Sequence, residues 1–78
     1  EREDIGTMPT VAKIGNNVRH WRTLRTLTQV QLAEKAGISP AALVRIEGNQ
    51  ADPHVSTIRK LADALEVSPE HLILDGKT

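Results

Sequence analysis

The chain contains no cysteine, no phenylalanine and no tyrosine, and Trp21 is its single aromatic side chain. Lack of cysteine excludes disulfides and thiolate metal sites and permits a reducing compartment. With so few aromatics the core must be built from Leu, Ile, Val and Ala, which suits packed helices better than a sandwich of strands. No apolar run approaches the roughly 18 residues of a membrane span. The acidic, polar start EREDIGT does not resemble a secretory signal. Net charge is absent as well, since ten Lys and Arg balance ten Asp and Glu. A chain of 78 residues makes one small domain. Such a domain buries about 60–65% of the surface of its unfolded chain, so modest stability and pairing with a second copy are both expected.

Zero net charge argues against a strongly basic nucleic-acid binder, but the charge is unevenly spread. Residues 11–27 carry Lys13, Arg19, Arg22 and Arg25 and no acid, whereas residues 1–10 carry three acids against one Arg. A local basic field matters more than the total. Residues 1–10 have Gly6, Pro9 and no periodicity, and read as a flexible tail. Residues 11–74 read as one domain, and residues 75–78 as a frayed end.

Within that domain the spacing predicts five short helices around one core, an all-α fold with no strand pattern. Ile14, Val18, Trp21 and Leu24 or Arg25 recur at helical spacing. Gly15 inside that stripe costs about 1 kcal/mol against Ala, and close packing on a neighbour would explain it. TQVQ forms a capping box, with Thr28 as N-cap and Gln31 at the third helical position. It leaves Gln29 facing outward. Leu32, Ala33 and Ala36 make the buried stripe of the second helix, which Gly37 ends. Ser39 caps and Pro40 opens a third helix with Leu43 and Ile46 inward. Gly48 and Asn49 stop it. Val55, Ile58, Leu61, Ala62 and Leu65 make the apolar stripe of a fourth helix. Ser68 and Pro69 begin a fifth, with Leu72 and Ile73 inward.

Between the second and third helices only Gly37 and Ile38 intervene. So short a turn makes the helices cross steeply, the helix-turn-helix arrangement, and leaves one face of the third helix free. The histidines build no site by spacing: His20, His54 and His71 lie on separate elements without ligand intervals. No nucleophile with an adjacent base and no phosphate-cradling glycine loop is present. Neither an enzyme nor a resident cofactor or metal is expected.

IGNNVRHWRTLRTLTQVQLAEKAGISPAALVRIEGN, followed by VSTIRKLADALEVS, resembles the DNA-binding domain of the lambda-repressor-like helix-turn-helix family, also called the XRE family. The resemblance spans about residues 11–74, with LTQVQLAEKAGIS and RIEGN its most specific parts. It implies sequence-specific binding of double-stranded operator DNA by a cytoplasmic transcriptional regulator, commonly a homodimer. Gln29 would contact phosphate at the positive end of the second helix. Arg22 and Glu47 would form an internal salt bridge. Pro40, Ala41, Val44 and Arg45 occupy the positions that meet base edges. Arg45 can take guanine O6 and N7, Ala41 and Val44 can touch only a thymine methyl, and Ser39 can bond base or phosphate. Arg19, Arg25 and Asn49 complete the expected phosphate contacts. The loop after the third helix departs from the family: NQADPH carries Asp52 and no Lys or Arg. That departure, with the neutral total, favours an alternative from another class, a protein-interaction module of the same fold such as an antitoxin or regulatory subunit.

Overall fold

A computed structural model describes residues 14–73, which contain five α-helices and no strand. The expected acidic tail at 1–10, the domain's outermost residues 11–13 and 74, and the expected frayed end at 75–78 lie outside the described residues. In chain order the helices are α1 (Ile14–Leu24), α2 (Gln29–Ala36), α3 (Pro40–Glu47), α4 (Val55–Leu65) and α5 (Glu70–Ile73). Each sends at least one fully buried side chain to a common centre: Val18, Leu32, Leu43, Leu61 with Leu65, and Leu72. Burying each Leu contributes about 1.5–3 kcal/mol, so this cluster is the main source of stability.

The first four helices stop in the same way. The residues that follow them, Thr26, Gly37, Asn49 and Glu66, all have left-handed backbone, with φ of 55°, 76°, 59° and 63°. At each stop the next N–H reaches back across the last turn: Leu27 to Arg22 O at 3.1 Å, Ile38 to Ala33 O at 3.0 Å, Gln50 to Arg45 O at 2.8 Å and Val67 to Ala62 O at 3.0 Å. These are Schellman ends, which satisfy carbonyls that the helix leaves free. Three of the four residues that follow, Leu27, Ile38 and Val67, pack against the core. An apolar anchor after the turn therefore holds the stop even where Thr or Glu bears the strained φ.

Two inward expectations fail at helix ends. Leu24 is exposed, because the chain turns at Thr26 and Leu27 takes the place against the core. Val55 is also exposed, as it only opens α4 and precedes the turn that meets the core at Ile58. Gly48 keeps φ at −86°, so the left-handed stop of α3 belongs to Asn49 alone.

Gly15 brings α1 hard against α3. A Cβ at Gly15 would lie 2.1 Å from Ile46 O, 2.6 Å from Asn49 Oδ1 and 3.1 Å from Glu47 C. Only glycine fits there. A polar bond crosses the same seam just past the end of α3: Asn49 Nδ2 donates to Asn16 Oδ1 at 3.3 Å. At the other side Asn17 Nδ2 donates to Leu72 O at 2.8 Å and ties α1 to α5.

Candidate nucleic-acid interface

Thr28 and Gln31 cap the start of α2 reciprocally. Gln31 N–H donates to Thr28 Oγ1 at 3.0 Å, and Thr28 N–H donates to Gln31 Oε1 at 2.9 Å. Leu32 N–H takes Thr28 O. The backbone N–H groups of Gln29 and Val30, one turn too early for the helix ladder, are left to point out of the helix end. There they offer positive dipole to an anion.

From Gly37 the chain passes through Ile38 to Ser39, whose Oγ accepts from Ala42 N–H at 3.1 Å and caps α3. Leu43 and Ile46 are buried, and this pins the opposite face outward. Pro40, Ala41, Val44 and Arg45 are all exposed, with Val44 at 49%. The free face is therefore apolar with one cation, which can accept no hydrogen bond and donates through a planar fork.

Between α1, the start of α2 and the end of α3 lies an open notch lined by Arg19, Arg22, Gln29, Val44, Glu47 and Gly48. Its floor is ionic. Arg22 Nε donates to Glu47 Oε2 at 2.7 Å and Arg22 Nη2 to Glu47 Oε1 at 3.1 Å. A further N–H, on Arg22 Nη1, holds Leu27 O at 2.9 Å. Glu47 is the one buried charged residue among those described, at 5% exposure, and the bidentate guanidinium compensates it.

Gln29 differs from the outward-facing expectation. It is half-buried, and its Nε2 donates to Glu47 Oε1 at 3.1 Å. The capping box fixes the backbone of the helix start but leaves the side chain free to turn, and the buried carboxylate below attracts its N–H. Nothing in local spacing signals this contact, which joins residues 18 apart.

The other residues expected at phosphate divide. Arg19 is exposed on the notch. Arg25 is not on it: its Nε donates to Leu65 O at 2.8 Å, and its guanidinium lies 5.4 Å from the Trp21 ring centroid. The cation meets the negative end of α4, where free carbonyls attract it. Asn49 also lies off the notch, holding Asn16 from the left-handed exit of α3.

The histidines come closer than their spacing suggests. His20 and His71 each approach Trp21 edge-on with ring centroids 5.5 Å away, and His71 Nδ1 lies 2.8 Å from Ser68 Oγ. Among the described residues no group of three or more His, Asp or Glu is arranged to hold a metal ion. No helix among them is long and apolar enough to cross a membrane.

Two helices joined by a Schellman turn, the second held out with its far face bare, define a helix-turn-helix domain. The chain belongs to the helix-turn-helix family, whose HTH_3 model matches residues 18–72. It is 43% identical over 60 residues to the HTH-type transcriptional repressor RghR of Bacillus subtilis, an alignment covering 76% of this chain and 44% of that protein. It is 38% identical over 60 residues to the immunity repressor protein of Bacillus phage phi105, covering 77% of this chain and 42% of that protein. Among solved structures, the restriction-modification controller protein C.AhdI from Aeromonas hydrophila superposes with a TM-score of 0.76 at 32% identity. That match covers 80% of this chain and 94% of the controller. The chain thus spans less than half the length of these two curated relatives.

Proposed function

We propose that this chain is the DNA-binding part of a cytoplasmic transcriptional regulator, placing α3 in the major groove of operator DNA. The observation that carries the reading is the notch itself. The open N-terminus of α2, the cation of Arg19 and the bare face of α3 border one concave surface. A phosphate meets the first two while bases meet the third. Gln29 and Arg19 then position the backbone, and Arg45, with Ser39, Pro40, Ala41 and Val44, reads base edges. Arg45 takes a guanine, and the methyl groups of Ala41 and Val44 favour thymines beside it. Two copies pair on a twofold axis at the α5 end, which sets half-sites about 34 Å apart. Names of relatives as transcriptional and immunity repressors support regulation by DNA occupancy.

A second reading has one specific observation behind it. Residues 49–54 offer phosphate no Lys or Arg and include exposed Asp52. In that reading the apolar face of α3 docks a protein. Titration of a mixed-sequence duplex over a range of salt separates the two. Log affinity should fall linearly with log salt, and Arg19→Ala should lower the slope by about one unit. Absent or salt-independent binding favours the protein partner.

A further inference from the structure

The buried ion pair of Arg22 and Glu47 is complete without Gln29, since the guanidinium already reaches both carboxylate oxygens. The third donor, Gln29 Nε2 at 3.1 Å, is therefore extra to that pair. It comes from the first residue of α2, at the open helix end to which the proposed function assigns a phosphate. We infer that Glu47 is a positioning residue for DNA: through its hydrogen bond it holds the Gln29 carboxamide with the nitrogen inward and a second N–H left for a phosphate oxygen. This rests on the nucleic-acid reading.

The chemistry allows only that orientation. A carboxylate accepts and cannot donate, so the amide edge facing Glu47 must be the NH2. The reversed amide would set its carbonyl oxygen against a carboxylate oxygen, a repulsive contact with no hydrogen bond to Glu47. One N–H of Nε2 is used by Glu47 and the other is spare. It belongs to the same residue as a backbone N–H at the helix end, beside that of Val30. An unheld glutamine loses rotamer freedom when it meets a phosphate, whereas this one is ordered in the free protein and binds preorganised. Glu47 does not repel the phosphate above it, because Arg22 neutralises it and Leu27 O fixes Arg22 in turn. The buried acid of α3 thus acts on DNA from beneath the surface while touching none.

A double-mutant cycle on Gln29→Ala and Glu47→Gln tests this, with affinity for a short mixed-sequence duplex and the melting temperature both measured. Gln29→Ala should weaken duplex binding about ten- to hundredfold, the loss of one hydrogen bond to a charged group. Its melting temperature should stay near that of the parent. Glu47→Gln should lower both affinity and melting temperature. In the Gln29→Ala background it should lower melting as before and leave affinity unchanged. An affinity loss from Glu47→Gln that persists undiminished in that background overturns the proposal, because Glu47 then acts through the fold alone. So does unchanged affinity in Gln29→Ala. A parent that binds no duplex overturns the nucleic-acid reading itself, a separate outcome. If Glu47→Gln does not fold, Glu47→Asp replaces it: the charge stays for Arg22 while the carboxylate is drawn one methylene away from Gln29. The side-chain amide resonances of Gln29 in the free parent give a check that needs no variant. They should be those of an ordered amide with one proton shifted downfield, and averaged amide signals would refute the tether.

Discussion

Replacing Gly15 by alanine should damage the domain although alanine is the better helix former. In an exposed helix that change would gain about 1 kcal/mol. Here the added Cβ meets Ile46 O at 2.1 Å, where an ordinary contact needs about 3.5 Å. The carbonyl is backbone and cannot rotate away, so α1 and α3 must part by more than about 1 Å. Overpacking of this kind costs about 1–3 kcal/mol, and more where it disturbs a second interaction. It does so here, because Glu47 C is another contact at 3.1 Å and the Glu47 side chain holds the buried ion pair. A net loss of about 2 kcal/mol is expected, from a total of about 4–12 kcal/mol for a chain of this size. The melting temperature should fall by about 8–16 °C. Thermal melting followed by circular dichroism measures it. Gly48→Ala serves as the control: its nearest contact is 3.3 Å, its φ is −86°, and its melting should change by only a few degrees. A Gly15→Ala protein that melts at or above the parent would show that α1 and α3 do not approach as described.

Arg22→Ala should be among the most destabilising changes, at about 3–5 kcal/mol, because it strands the buried Glu47 carboxylate; chemical denaturation reads it. Arg25→Ala should cost about 1–2 kcal/mol through its bond to Leu65 O and its place over Trp21, and alter Trp21 fluorescence. Its affinity for duplex DNA should stay within about twofold of the parent, and a large affinity loss without a melting change would return Arg25 to the interface. Thr26→Gly should raise the melting temperature by a few degrees, since a β-branched residue at φ 55° costs about 1–2 kcal/mol and glycine returns only part of that gain as entropy. Replacing thymine by uracil in a bound site should weaken binding where Ala41 and Val44 lie, since the base methyl is what these side chains can touch.

Local rules carried most of the fold. The capping box of Thr28 and Gln31, the cap at Ser39 and the left-handed Gly37 are all contacts within three or four residues, and the structure holds each. Gly15 was legible as a close approach, though its partner was not. The left-handed backbone at Thr26 and Glu66 was hidden because the usual sign, a glycine, is absent. What marks them is the apolar Leu27 and Val67 one step later. The ion pair of Arg22 and Glu47 was available only from the family resemblance. The outward faces of α3 followed from the buried period of Leu43 and Ile46. What spacing missed are bonds between distant elements: Gln29 to Glu47, and Arg25 to Leu65 across 40 residues. Each depends on which helix ends the core brings together, and no local pattern encodes that.

Whether α3 reads DNA is decided by selection from a random duplex pool by the pure protein, with sequencing of what is retained, run in parallel on Arg45→Ala at the same salt. An enriched motif with one guanine per half-site beside thymine-rich positions is expected. Arg45→Ala should flatten the preference at that guanine, a loss of about 1–3 kcal/mol, and leave the rest in place. A parent that enriches no motif, or a variant that enriches the parental motif unchanged, would contradict the claim that α3 reads DNA.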